Sequence, residues 1–232
     1  MPPTRRRSRE RLTHDVATRV RLLDAARHLF AELGFEDVTV RDICREAGAN
    51  LALVNYHFGD KLGLYHEIVN EAIGSVREFN DLAMNAPEGS DGEARLRHFV
   101  RVLLVRVFEF RGADGWVHRL IQHEINRPTD VAKRIMDEAI APRLRYLAGV
   151  VTELLQCPLN DPRVMPCVAS VHGLCLVYSR MVIAPERFRT LMPELVPDVP
   201  SGQLSIEAAI AHVSAFSLAG IRAMRTSGSE SR

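Results

Sequence analysis

Apolar positions from Leu22 onward fall at Leu22, Ala25, Ala26, Leu29, Phe30 and Leu33, the i, i+3, i+4 spacing of one face of an α-helix. Gly34 then supplies a C-terminal stop. Two short apolar-periodic stretches follow, and a longer helix begins at Lys61 with Leu62, Tyr65, Ile68, Val69, Ala72, Ile73 and Val76 on its stripe. It runs to about residue 84, where the polar stretch Asn85 to Gly92 with Pro87 interrupts it. The same period recurs over residues 93–110, 115–126, 131–156, 163–183 and 204–225. Strand-type alternation is missing over any useful length, so the pattern predicts an all-α chain. Pro142 and Pro166 fall inside helical stretches and predict a kink or break at each. Seven of the twelve prolines lie between Pro158 and Pro200, which predicts two broken connections there.

The stretch Thr39 to Lys61 reads as helix, tight turn, helix. Thr39 can cap the first helix with Asp42 as the other half of a capping box. Gly48 suits a turn position that a Cβ would strain, and Asn50 can cap the second helix. Val40, Ile43 and Ala47 share one face of the first helix, where Val54 and Phe58 of the second can meet them. This is the helix-turn-helix arrangement, which lays its second helix in the DNA major groove.

Composition adds little for the chain as a whole: 47% hydrophobic, 25% charged, net charge +1. Its distribution matters more. Residues 1–27 carry +5 and the remainder −4, so positive charge gathers beside the helix-turn-helix. Cys44, Cys157, Cys167 and Cys175 show no C-x-x-C spacing and read as buried, reduced thiols of a cytoplasmic protein. The arginine-rich N-terminus lacks the apolar core of a signal peptide, and no run of about 18 apolar residues predicts a membrane span. The expected organisation is a disordered basic arm (1–12), a three-helix DNA-binding domain (13–60), a helical bundle for effector binding and dimerisation (61–226) and a disordered tail (227–232).

L-L-D-A-A-R-H-L-F-A-E-L-G-F, T-V-R-D-I-C-R-E-A-G and N-Y-H-F-G-D-K-L-G-L-Y resemble the N-terminal domain of TetR-type transcriptional regulators over about residues 18–66. N-L-A-L-V-N-Y-H-F-G is similar to the CecR (YbiH) branch, as are H-E-I-N-R-P, I-A-P-R-L and F-S-L-A-G in the second half. The resemblance implies a homodimer whose C-terminal helices pair and whose larger domain holds a small-molecule effector. Asn55 stands where most of the family carries Tyr, and Ala52 and Leu53 also depart from its pattern, so the operator cannot be borrowed from relatives.

Candidate DNA contacts follow. Asn55 can pair bidentately with adenine in the major groove, or it is simply a solvated polar residue. Leu51, Ala52 and Leu53, beside Asn50, are placed to meet thymine methyls or to complete the core. Tyr56, His57 and Lys61 resemble the family's backbone-contacting set, and Thr39 and Arg41 open a helix N-terminus suited to a phosphate. Arg5, Arg6 and Arg7 either enter the minor groove or add charge without specificity.

Phe99, Leu103, Arg106, Trp116, His123, Glu124, Cys175 and Tyr178, with His118 and His172, are candidates to line an effector pocket; each is otherwise a core residue. Val168, Val171, Leu174, Val213, Phe216 and Gly220 are candidates for a dimer interface. His123-Glu124 is only half of H-E-x-x-H, and His172-x-x-Cys175 is too weak a set for a metal, so no metal or cofactor is expected. There is no phosphate loop and no G-x-S-x-G, which argues against an enzyme. The leading reading is a homodimeric repressor released from its operator by a small molecule. A DNA-bound module that recruits a protein partner keeps the same head and remains open.

Overall fold

The computed structural model describes the backbone of residues 4–109, 115–183 and 206–227, and the side chains of 15–106, 115–178 and 206–226. All regular structure among the described residues is helical. In order these are α1 (Thr4–Asp37), α2 (Val40–Ala47), α3 (Leu51–Phe58), α4 (Lys61–Met84), α5 (Gly92–Glu109), α6 (Gly115–Asn126), α7 (Ala132–Ile135), a π-helical turn (Met136–Ile140), α8 (Ala141–Leu155), α9 (Val164–Ile183) and α10 (Ile206–Ser227). The all-α expectation holds: the stretches from Lys61 onward are helical within about two residues of their expected bounds, that over 131–156 in three pieces, whereas the helix read from Leu22 begins at Thr4.

The chain folds as two compact units, Met1–Val76 with Asp114–Glu138, and Arg77–Ala113 with Ala139–Arg232. These compact units do not follow the expected functional division at residue 60. α4 runs from the first unit into the second without a break, and α6 and α7 join the first unit although a stretch of the second precedes them in the chain.

In the first unit the stripe of α1 is buried at Leu22, Ala25, Ala26 and Phe30, while Leu33 is half exposed. Helical geometry breaks at Gly34, with φ 81° and ψ 170°. Phe30, Phe35 and Tyr65 form an aromatic cluster with centroids 4.6–6.0 Å apart. α6 covers α1 with Trp116, Val117, Leu120 and Ile121. Arg119 bonds Glu32 at 2.9 Å, and Arg27 lies over the Trp116 ring at 5.3 Å. The backbone is helical from Thr4, where a disordered arm was expected up to residue 12. Arginine and glutamate are good helix formers, and nothing between Thr4 and Leu22 interrupts the helix.

The second unit packs α5, α8, α9 and α10 around one core that includes Leu96, Phe99, Leu104, Leu147, Val151, Val168, Cys175, Val213 and Ile221. The break expected at Pro142 appears as the π-helical turn just before it, since proline at the start of α8 lacks the N–H that would continue the ladder. Pro166 breaks nothing: it sits in the first turn of α9, where that N–H has no intrahelical partner anyway. Contrary to the sequence expectation, one described stretch, Ile206–Thr226, is long and apolar enough to cross a membrane by length and composition. Its Ala209, Ile210, Val213, Leu218 and Ile221 are buried in the core of the unit. Of the four cysteines, all free, Cys157 is only half-buried rather than buried.

Candidate DNA-binding interface

The head is held by local chemistry that the sequence spells out. The Thr39 hydroxyl accepts from the Asp42 N–H at 3.2 Å, and the Thr39 N–H donates back to the Asp42 carboxylate at 3.1 Å, so the capping box is complete. The Thr39 hydroxyl also donates to the Asp42 carboxylate at 2.5 Å, and that bond first, then the Thr39 N–H, with Arg45 beyond them, holds the Asp42 carboxyl below its ordinary range. Gly48 ends α2 in the left-handed region, φ 59°. The Arg21 Nε donates to the Ala47 carbonyl at 3.1 Å, so a cation closes the end of α2. Asn50 caps α3 by accepting from the Leu53 N–H at 3.1 Å. Asp60 does the same for α4 from the Gly63 N–H at 2.7 Å.

Ile43, Cys44 and Ala47 of α2 and Val54 of α3 are buried, which pins one face of α3 to the unit. The opposite face is open. Leu51 is 51% and Tyr56 73% exposed, with Ala52 and Asn55 exposed beside them. Positions 51, 52, 55 and 56 lie on one side of a helix, so the structure gathers them into one strip. Thr39, Arg41 and Asn50 are exposed as well, and Arg41 has no partner among the described residues. Leu53 is half-buried.

Two expected backbone contacts are placed otherwise. The His57 side chain is 6% exposed, with Nε2 3.3 Å from the Asp15 carboxylate. Lys61 is half-buried, its Nζ 4.1 Å from the centre of the Phe35 ring. Burial lowers the pKa of that ammonium, and Glu36 and Asp37 act against the shift. The side chains of Arg5, Arg6 and Arg7 lie outside the described residues.

The eight effector candidates divide between the units. Trp116, His123 and Glu124 belong to the first. Glu124 is buried and its oxygens are already engaged: the Tyr65 hydroxyl donates to Oε1, and the Thr129 N–H donates to Oε2 at 3.0 Å. Burial first, then that bond, pushes the Tyr65 pKa well above its usual value. His123 packs against Gly34, where an added Cβ would come within 3.0 Å of Nδ1. Phe99, Leu103, Arg106, Cys175 and Tyr178 belong to the second unit, and Phe99, Leu103 and Cys175 are buried in its core. An open cleft of about 730 Å³ runs between α5 and α10, with Arg97, Arg101, Glu207 and Arg222 among its lining. None of the eight candidates lines it.

The dimer candidates need correction. Val168, Val171 and Val213 are buried within their own chain, and Leu174 packs against the same core. They share helices with the exposed positions but sit on the other face. Phe216, 61% exposed, and Gly220 do lie on the surface. Periodicity identified the apolar stripe without telling which partner covers it.

A helix-turn-helix with an exposed second helix, continued by a helical second unit, defines a class that comparison with known proteins makes explicit. Residues 22–68 match the family described as bacterial regulatory proteins, tetR family. Residues 92–221 match the C-terminal domain of the HTH-type transcriptional dual regulator CecR. The chain belongs to the TetR family of DNA-binding transcriptional regulators, in its CecR-like branch, a family of regulators rather than enzymes. CecR of Shigella flexneri is 27% identical over 166 residues, covering 68% of this chain and 73% of its own. The regulator YttP of Bacillus subtilis is 25% identical over 139 residues, 60% of this chain and 64% of that relative, so the match spans under two thirds of its length. In fold, a TetR-family regulator from Streptomyces coelicolor aligns with TM-score 0.55 at 19% identity, over 89% of this chain and 97% of its own.

Proposed function

We propose that the protein is a homodimeric repressor that a small-molecule effector releases from its operator, acting in the cytoplasm. The observation that carries the reading is the open strip of α3, Leu51, Ala52, Asn55 and Tyr56, standing beside the free cation Arg41. Asn55 offers a donor and an acceptor to adenine, Leu51 and Ala52 offer apolar contact to thymine methyls, and Arg41 and Thr39 meet the phosphate backbone. Two such helices in a dimer would enter major grooves about 34 Å apart along the DNA. Effector binding would favour a conformation with a different separation, and the shift in population equals the difference in affinity for the two states.

Pairing would use the outer faces of α9 and α10. There Met165, Val177, Phe216 and Met224 are exposed, among the small residues Ala169, Ala215, Ala219 and Gly220 that allow close helix approach. Four free cysteines agree with a reducing compartment.

Selection of bound genomic fragments by the purified protein, repeated over a range of salt, is the test. Enrichment of one pseudo-palindromic site is expected. Enrichment of nothing, with binding that collapses as salt rises, would leave only nonspecific phosphate contact and favour a protein-partner module.

A further inference from the structure

Buried polar atoms are nearly always hydrogen-bonded, so several unpaired ones in one neighbourhood call for an explanation. Of the seven such atoms in the second unit, four lie near one another on three helices: Asn80 Oδ1 on α4, Arg143 Nε and Tyr146 Oη on α8, and His172 Nε2 on α9. All four are closed to solvent and have no hydrogen-bond partner. Chain geometry brings them together. Asn80 donates through Nδ2 to the Ala139 carbonyl at 2.7 Å, and Arg143 lies one helical turn beyond Ala139. Tyr146 is the next turn of α8, its ring stacked on Phe99 at 6.3 Å. α8 packs against α9, and the Arg143 charge reaches the His172 imidazole.

Arg143 is the decisive member. A guanidinium is cationic at any working pH, and holding it half-buried, with Nε closed to solvent and no counter-charge, is costly. No carboxylate pairs with it among the described residues. Burial pulls its pKa down to about 10. His172 is pulled down to about 4, by burial first and by Arg143 second, so it stays neutral and can donate or accept. Around these groups the unit is apolar, with Phe99, Leu147, Val171 and Cys175 all buried. One uncompensated positive charge, neutral hydrogen-bonding groups and an apolar surround specify a ligand with one negative charge and an oily body. A carboxylate fits the planar fork of the guanidinium and cancels its charge, whereas a phosphate monoester would leave a surplus negative charge buried.

We propose that Arg143 anchors the carboxylate of an amphipathic small-molecule effector between α8 and α9, with Tyr146 and His172 completing its hydrogen bonds. The inference rests on the reading of the protein as an effector-released regulator, and names the chemical class of that effector.

The test titrates the full-length protein with octanoate, phenylacetate and benzoate, each against its primary amide, reading thermal melting. The same compounds are then tried for release of the operator selected above. The variants are Arg143→Met, which keeps an aliphatic stem and removes the buried charge, and Arg143→Lys, which keeps the charge and loses the fork. Carboxylates should raise the melting temperature of the wild type and free the operator, while the amides should do neither. R143M should melt no lower than the wild type without ligand and bind carboxylates roughly tenfold to hundredfold more weakly; R143K should fall between. If R143M does not fold, R143K carries the comparison. Equal action of acids and amides, an undiminished response in the variants, or no carboxylate binding at all would overturn the inference. Should neutral compounds free the operator while carboxylates do not, the anionic class fails and effector release stands. If no compound frees it, effector release itself fails.

Discussion

Asn55 and Arg41 make different demands on DNA, and their replacements should separate. Asn55→Ala should cost about 1–3 kcal/mol on the selected operator and relax preference at a single base pair. Arg41→Ala should weaken binding on all sequences alike and lower the salt-dependence slope by about one. Lys61→Gln should change that slope less, because its ammonium sits over Phe35 rather than reaching outward. Binding isotherms at several salt concentrations resolve all three. Inside the head, Tyr65→Phe removes one donor from the buried Glu124 and leaves the Thr129 bonds. A loss of about 1–3 kcal/mol in denaturant unfolding is expected, with operator contacts unchanged. Legibility at this scale was uneven. The strip on α3 could be read because caps and turn fix which positions face outward. Arg143 was missed, although it falls on the apolar stripe Ala139, Leu147 and Val151, where a charge is itself a signal.

Short helices such as α2 and α3 depend on their ends. Asp42 is held in its charged form by Thr39, so its contribution is present above the ordinary carboxylate pKa and is lost as pH falls through the lowered folded value. Thr39→Ala should therefore destabilise the protein near neutrality, and the gap to the wild type should narrow on acidification, as followed by urea unfolding at a series of pH values. Gly63 has a steric reason for being glycine: a Cβ there would land on the Phe58 carbonyl oxygen, a backbone atom with little room to yield. Gly63→Ala should cost about 1–3 kcal/mol and loosen the seat of α3 on α4. Helix positions came through from the sequence because a period of 3.6 survives any tertiary context. Helix partners did not, because the same stripe serves whatever covers it; the packing of α6 on α1 could not be read from its period.

For the whole molecule the dimer is the governing expectation. Phe216→Glu places a charge on the exposed face of α10 without touching the core residues Val213 and Leu218. It should shift sedimentation toward the monomer and weaken operator binding while leaving helical content intact. A monomeric wild type at micromolar concentration would refute the arrangement.

The interleaving of the two units bears on how this protein can be taken apart or recombined. Asp114–Glu138 completes a unit whose other part ended at Val76, and the chain visits the second unit in between. A fragment cut after residue 60 or 76 would bare the surface of α1 that Trp116 and Leu120 cover, and should be sticky rather than independently soluble. A chimera that grafts this reading head onto a foreign receptor by one splice would likewise pair α1 with a stranger's α6. Modular exchange therefore needs two crossovers, or a matched α1–α6 surface carried along with the head.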